Sequence, residues 1–203
     1  HRYTDTCMTF DYESGELYSG EAYLGNIHLN GKSPSNINEA GAKTTFGAPL
    51  KAPKRNYLYL LRSSDNGKTW SKPKDITGQV LIKQDGTFLG VAPGVGLTTH
   101  KGRVIMPLYV DRKQTVSIYS IDDGENWHRM AGHPYAENVD EWQMVQAPSG
   151  AIIGLGRAKR YGKTPMSISY DDGKTWINAG KTDLYAPKCQ KLSLIQILTL
   201  PTI

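Results

Sequence analysis

Three times this chain runs a β-rich segment into the same eight-residue turn: Ser63-Ser64-Asp65-Asn66-Gly67-Lys68-Thr69-Trp70, Ser120-Ile121-Asp122-Asp123-Gly124-Glu125-Asn126-Trp127 and Ser169-Tyr170-Asp171-Asp172-Gly173-Lys174-Thr175-Trp176. The shared pattern S-x-D-x-G-x-x-W places its aspartates 57 and 49 residues apart, which marks an internal repeat and so restricts the architecture. Each position has a physical role. The Asp accepts hydrogen bonds from backbone N–H groups just ahead of it, the Gly takes the positive φ of a tight corner, and the Trp offers a large apolar face to bury. Short β-rich runs precede the turns: Tyr57-Leu58-Tyr59-Leu60-Leu61, Val116-Ser117-Ile118-Tyr119 and Pro165-Met166-Ser167-Ile168. After the first and third turns a polar segment begins the next strand. A unit of about fifty residues holds roughly four short strands, the content of one propeller blade.

Composition agrees with an all-β chain. The 203 residues include 21 Gly, 11 Pro, 12 Tyr and 4 Trp, and no long run carries the i, i+3, i+4, i+7 apolar spacing of an amphipathic helix. The net charge of +5 is spread thinly. Its densest patch, residues 43–55 with Lys51, Lys54 and Arg55, lacks the interleaved aromatics or helical register of a nucleic-acid reader, so no nucleic-acid partner is expected. No uncharged apolar run approaches the ~20 residues of a membrane span. Cys7 and Cys189 form neither a metal cluster nor a disulfide framework, and His1, His28, His100, His128 and His133 show no metal-ligand spacing. Neither a metal nor a cofactor is expected. The glycines from Gly90 to Gly96 lack the G-K-[ST] ending of a phosphate loop, and no helix follows them. They read as a tight loop bringing backbone near the centre of a ring.

The chain starts at His1 without a signal-type segment and ends in an uncharged β-prone run over residues 192–203. Residues 30–56 are rich in Gly, Asn, Lys and Pro and carry no repeat turn. At about fifty residues per blade the length allows roughly three to four blades, and an open terminal strand would be an aggregation hazard. The expectation is an arc of a larger ring, truncated at both ends.

The repeat turns are Asp boxes. Together with Phe88-Leu89-Gly90-Val91-Ala92-Pro93-Gly94-Val95-Gly96, then Lys101-Gly102-Arg103-Val104-Ile105-Met106-Pro107-Leu108-Tyr109, they resemble the bacterial sialidases, or neuraminidases. Gly15-Glu16-Leu17-Tyr18 and Leu24-Gly25-Asn26-Ile27 extend the resemblance over nearly the whole chain. It implies a partial six-bladed β-propeller, with residues 1–203 a fragment of a single sialidase catalytic domain. It also implies sialylated glycoconjugates as substrates and an extracellular or cell-surface location.

The chemistry rests on the stretch from Asp140 to Arg157. In the family a Glu opens a strand, a turn follows, and an Arg ends the return strand sixteen residues on. Glu141 and Arg157 match that spacing, with Ser149-Gly150 at the turn. The resemblance makes Glu141 the catalytic Glu and Arg157 one of three arginines that grip the substrate carboxylate. Two features depart from the family: Trp142 is bulkier than the small or polar residue usual there, and Ala147-Pro148 replaces a more strand-like pair. An ordinary Glu is a solvated loop carboxylate and an ordinary Arg a surface charge. The apolar run Ile152-Ile153-Gly154-Leu155-Gly156 instead puts Arg157 at the end of a buried strand, and Glu137 is the fallback for Glu141.

Sialic acid carries a carboxylate at its anomeric carbon, so a carboxylate nucleophile would approach against like charge. The family uses a tyrosine, an exception to the two-carboxylate scheme. A phenol with a pKa near about 10 needs a base to take its proton. The family's first arginine and acid Asp have no match in residues 1–56. Its third arginine and nucleophilic tyrosine come roughly a hundred or more residues after the Glu, so Tyr185 falls too early. The Asp-box residues Asp65, Asp122 and Asp171 are expected to be structural. Two alternatives stand beside an exo-sialidase: an intramolecular trans-sialidase, and a non-catalytic Asp-box propeller that binds glycans or proteins.

Overall fold

The computed structural model describes residues 4–10, 17–23, 57–65, 68–85, 89–92, 94–110, 114–135, 139–158 and 162–186. The basic patch at 43–55, Glu137, Cys189 and the run at 192–203 lie outside them. Three sheets, antiparallel apart from one short parallel pair, follow one another along the chain. The first holds β1 (Thr4–Phe10), β2 (Leu17–Tyr23), β3 (Tyr57–Ser63) and β4 (Lys74–Asp75) in the order β1-β2-β3-β4. The second holds β5 (Leu89–Val91) and β7 (Leu97–Thr98), which both pair with β8 (Val104–Val110), then β9 (Gln114–Ser120) and β10 (His128–Arg129); β6 (Gly94–Val95), between β5 and β7 in the chain, pairs instead with β1 at the inner edge of the first sheet. The third is β11 (Val139–Gln146), β12 (Ile152–Ala158), β13 (Gly162–Ser169) and β14 (Ile177–Ala186). With β5, β6 and β7 counted as one broken inner strand, each blade has four strands, and the first strands of the three converge. The chain is therefore all-β and forms part of a β-propeller, with three blades among the described residues.

Side-chain alternation along β8 explains how the blades hold together. All seven of its residues are buried. Val104, Met106, Leu108 and Val110 enter one apolar cluster with Leu58 and Leu60 of β3, while Ile105 and Tyr109 enter another with Val139, Trp142 and Met144 of β11. Successive residues of a strand point to opposite faces, so one strand supplies both inter-blade cores. Pro107 fits this central strand because of the broken inner edge. Its carbonyl accepts from Ala92 N at 2.9 Å, and its absent N–H would have faced the same side, where β6 has left to pair in parallel with Cys7 and Met8 of β1.

The Asp boxes lie between the third and fourth strands of each blade, on the outer rim. In all three the Asp accepts from the Ser hydroxyl two residues before it, at 2.8, 2.8 and 2.9 Å, and from the backbone N–H four residues after it, at 2.9, 2.9 and 2.8 Å. In the second and third boxes the Ser hydroxyl also accepts from the Gly N–H, and an Asp-Gly pair sits at positive φ: Asp123 at 54° and Gly124 at 74°, Asp172 at 65° and Gly173 at 85°. These bonds hold the carboxylates of Asp65 and Asp122 down at about 2. At Asp65 the Thr69 hydroxyl is the leading cause, and at Asp122 the Asn126 N–H. Asp171 is pulled up by burial, yet the Thr175 and Ser169 hydrogen bonds prevail and keep it low.

The tryptophans of the second and third boxes pack toward the preceding blade. Trp127 closes the cluster between the first two sheets and Trp176 lies against the one between the second and third, both with the indole N–H on the box glycine's carbonyl at 3.0 Å. Trp70 belongs to the first blade, which has no predecessor among the described residues, and stays 39% exposed. Ion pairs repeat the inter-blade link: Arg62 and Lys74 of the first blade meet Glu125 of the second, and Arg103 of the second meets Asp172 of the third at 2.9 Å.

Two details differ from the sequence expectation. A single helical turn, α1 (Thr77–Val80), and a 3-10 turn at Lys83–Asp85 follow β4, too short to leave a periodic signature. They are tied to β10 by buried Asp85, which accepts from Arg129 at 2.6 Å. The second box is also followed by a strand, the two-residue β10.

Two expected outcomes follow from this packing. A Cβ at Gly132 would lie 2.3 Å from the Lys174 carbonyl oxygen in the neighbouring box, so Gly132→Ala should lower stability by about 1–3 kcal/mol in chemical denaturation. The box carboxylates have folded pKa values below the unfolded value, so their contribution is fully present above about pH 5 and is lost as pH falls toward about 2. The melting temperature should fall across that window, and Asp122→Asn should lower it at pH 7 while flattening its pH dependence.

Candidate active site

The hairpin β11–β12 brings the two charged candidates together. Arg157 Nη1 donates to Glu141 Oε1 at 2.7 Å, a charge-assisted bond between adjacent strands. The reason is an irregular register. Val139 pairs with Ala158 and Trp142 with Gly156, so Asp140 and Glu141 together face the single residue Arg157. A bulge of this kind re-aims a side chain within an otherwise regular ladder. The side chains of Glu141 and Arg157 are 19% and 23% exposed, so the pair is walled in yet reachable from solvent.

The turn at the far end of the hairpin accounts for Ala147-Pro148. Gly150 N donates to Ala147 O at 2.8 Å, which closes a four-residue turn with Pro148 at its second position and Gly150 at φ 88°. Pro supplies the φ such a turn needs at that position, and Gly accepts the left-handed one. The pair belongs to the turn, where β character would be a handicap. Gln146 braces it, donating to Gly150 O at 3.0 Å and accepting from His100 N at 2.7 Å.

Trp142 also has a place. It is fully buried on the side of β11 that faces the second blade, and its indole N–H donates to Leu108 O of β8 at 2.9 Å. Trp176 and Tyr135 meet it edge-on, with ring centroids 5.6 and 6.4 Å away. Room for these rings comes from β12. A Cβ on Gly154 would come within 3.5 Å of both tryptophans, and one on Gly156 within 3.1 Å of the Tyr135 ring. Burial pushes the Tyr135 phenol up, and its hydroxyl donates toward Gly154 O at 2.7 Å and Pro165 O at 3.1 Å. Tyr135 is therefore a packing residue.

Strand direction places the pair relative to the Asp boxes. β11 begins, and β12 ends, at the end of the blade where β13 begins; β13 then runs to the box at the opposite end. The boxes are thus remote from Glu141 and Arg157. Tyr185 lies on the outermost strand, β14, and pairs with Lys163. Among the described residues no group of three or more His, Cys, Asp or Glu side chains could hold a metal ion. The sequence marked Trp142 only as too large, and gave no sign of its bond to Leu108, because β8 and β11 are distant in the chain. The small residues at 154 and 156 were the available signal.

A family model described as a BNR repeat-like domain matches residues 40–201. The chain is 36% identical over 124 residues to a sialidase of Bacteroides fragilis, an alignment that covers 59% of this chain and 22% of that protein. It is 29% identical over 184 residues to an anhydrosialidase of Macrobdella decora, covering 84% of this chain and 21% of that one. Among solved structures it superposes on the Hadza microbial sialidase Hz136 with a TM-score of 0.74 and 26% identity, covering 93% of this chain and 36% of the other. The chain thus spans about a fifth to a third of the length of these relatives. With its three Asp boxes, its propeller blades and the match over residues 40–201, the chain belongs to the sialidase family built on BNR repeats.

Proposed function

We propose that this chain supplies two groups of a retaining exo-sialidase active site, Glu141 as general base and Arg157 as a substrate-carboxylate ligand. The observation that carries the reading is their ion pair at a bulge near the convergence of the blades, at the end away from the Asp boxes. A structural ion pair needs no bulge and no opening to solvent. A site that must present a carboxylate and a guanidinium to one small anionic sugar needs both.

In the proposed reaction the substrate carboxylate is held by guanidinium groups, each offering parallel donors and keeping its charge when desolvated. Arg157 is one of them, and its bond to Glu141 fixes the distance between the base and the bound anion. Glu141 takes the proton of a tyrosine hydroxyl as the phenolate oxygen attacks the anomeric carbon and the aglycone leaves. Water then attacks the glycosyl-enzyme bond, which releases sialic acid with retained configuration and restores the phenol. The tyrosine, the acid that protonates the leaving oxygen and the other two arginines belong to parts of such a propeller that this chain does not match. The proposed domain is therefore a single sialidase propeller of which residues 1–203 are a part. Its substrates are sialylated glycoproteins, glycolipids or oligosaccharides, and their location makes an extracellular or cell-surface setting the natural one. Among the described residues no helix is long and apolar enough to cross a membrane.

The similarity to an anhydrosialidase favours a second reading, an intramolecular trans-sialidase in which a hydroxyl of the bound sugar replaces water. Product analysis of the complete gene product separates them: free sialic acid for the first, an anhydro sugar for the second.

In the complete gene product Glu141→Gln should lower kcat on a fluorogenic sialoside by about 10²- to 10⁴-fold. Unchanged turnover would overturn the assignment of the base. Arg157→Ala should act mainly on KM. Residues 1–203 alone should release no fluorophore, and binding of sialosides without turnover by the complete product would favour the non-catalytic propeller.

A further inference from the structure

Glu141 sits in a bulge, and a bulge is the part of a strand that its own ladder controls least. The pairs Val139 with Ala158 and Trp142 with Gly156 fix the backbone on either side, while the two residues between them share one partner. The direction of the Glu141 carboxylate is then set by how firmly those flanks are held. Val139 is buried, with its Cγ1 in the space that a Cβ at Gly156 would need, 2.3 Å away. The other flank, Trp142, is held both from its own blade and from outside its sheet.

Three contacts hold Trp142, and they come from different parts of the chain. Its N–H bonds to the Leu108 carbonyl of β8 at 2.9 Å, a link from the third blade to the second. Trp176, beside the third Asp box, lies perpendicular to it at 90°, and Tyr135 closes the remaining side at 78°. Sliding the ring along β11 would open that bond in a buried site, where an unpaired N–H is costly. Adjacent strand residues point to opposite faces, so Trp142 is driven into the core while Glu141 is turned toward Arg157. A small or polar residue at this position could not make these contacts, so the device belongs to this chain rather than to the spacing of Glu141 and Arg157.

We propose that Trp142 is the positioning residue for Glu141: its indole bond to Leu108 locks the register of β11 across the blade interface and so sets the carboxylate's place beside Arg157. This rests on the reading of Glu141 as the base. Trp142 touches no substrate, and its effect on catalysis passes through Glu141.

The test is a double-mutant cycle in the complete gene product, with Trp142→Phe, which keeps an aromatic ring but removes the N–H, and Glu141→Gln. Trp142→Phe should lower kcat by about tenfold with KM within about twofold, the pattern of a displaced catalytic group. In the Glu141→Gln background the same change should cost less than about twofold, because a positioning residue has nothing left to position. Trp176→Phe serves as the packing control, since Trp176 packs against the Trp142 ring without the bond to Leu108; it should lower the melting temperature and leave kcat within about twofold. Equal losses from Trp142→Phe in both backgrounds, or unchanged kcat in the single variant, would overturn the role of Trp142 and leave the base assignment intact. A kcat loss in Trp176→Phe matching that of Trp142→Phe would also overturn it, in favour of general packing. Unchanged kcat in Glu141→Gln would overturn both.

Discussion

The arrangement of β8 governs the rest of the structure. A strand buried on both faces must find apolar partners on each side, and β8 finds them in two different blades. Because side-chain direction alternates, the same seven residues fix how far apart the first and third blades stand. One flank of the Glu141 bulge in the third blade is tied to this strand. The Leu108 carbonyl receives Trp142, and Trp142 flanks the bulge that carries Glu141.

The Asp boxes act at the other end of the same blades. Each gathers a Ser hydroxyl and a forward N–H onto one carboxylate, and the second and third hand their tryptophans to the blade before them. The corner thereby does two jobs, closing its own hairpin and gripping its neighbour. Charged residues within or beside the corner repeat the grip, with Glu125 and Asp172 each reached by cations of the preceding blade. The exposed pairs at Glu125 gain little energy individually, whereas the Arg103–Asp172 pair is largely buried. Their value is geometric, since they set the angle at which one blade meets the next.

Much of this was legible in the sequence, and the reasons are local. Box spacing reports the blade period because the Ser, Asp, Gly and Trp of each corner lie within eight residues and satisfy one another. Glu141 and Arg157 could be paired through the family resemblance, whose sixteen-residue spacing corresponds to one hairpin folded back on itself. The strands before the boxes were legible as apolar runs, whereas the helical turn at Thr77–Val80 was not, since four residues carry no period. The bond from Trp142 to Leu108 spans 34 residues and joins two sheets, so no local pattern encodes it. The same holds for β6, two residues whose partners on β1 lie far back in the chain. Ala147-Pro148 misled as a poor strand because the strand had already ended.

The parallel pairing of β6 with β1 bears on the modularity of the chain. Repeat proteins grow and shrink by whole units because each unit closes its own backbone hydrogen bonds and meets its neighbours through side chains. The third blade follows that pattern, tied to the second through Trp142, Arg103 and Gln146. The first two do not, because the second lends a piece of its innermost strand to the first. Among the described residues a seam before the third blade would part contacts made by side chains, whereas one between the first two would cut a peptide ladder. For duplication, grafting or circular permutation, the first two blades therefore count as a single indivisible module, and the third as a detachable one.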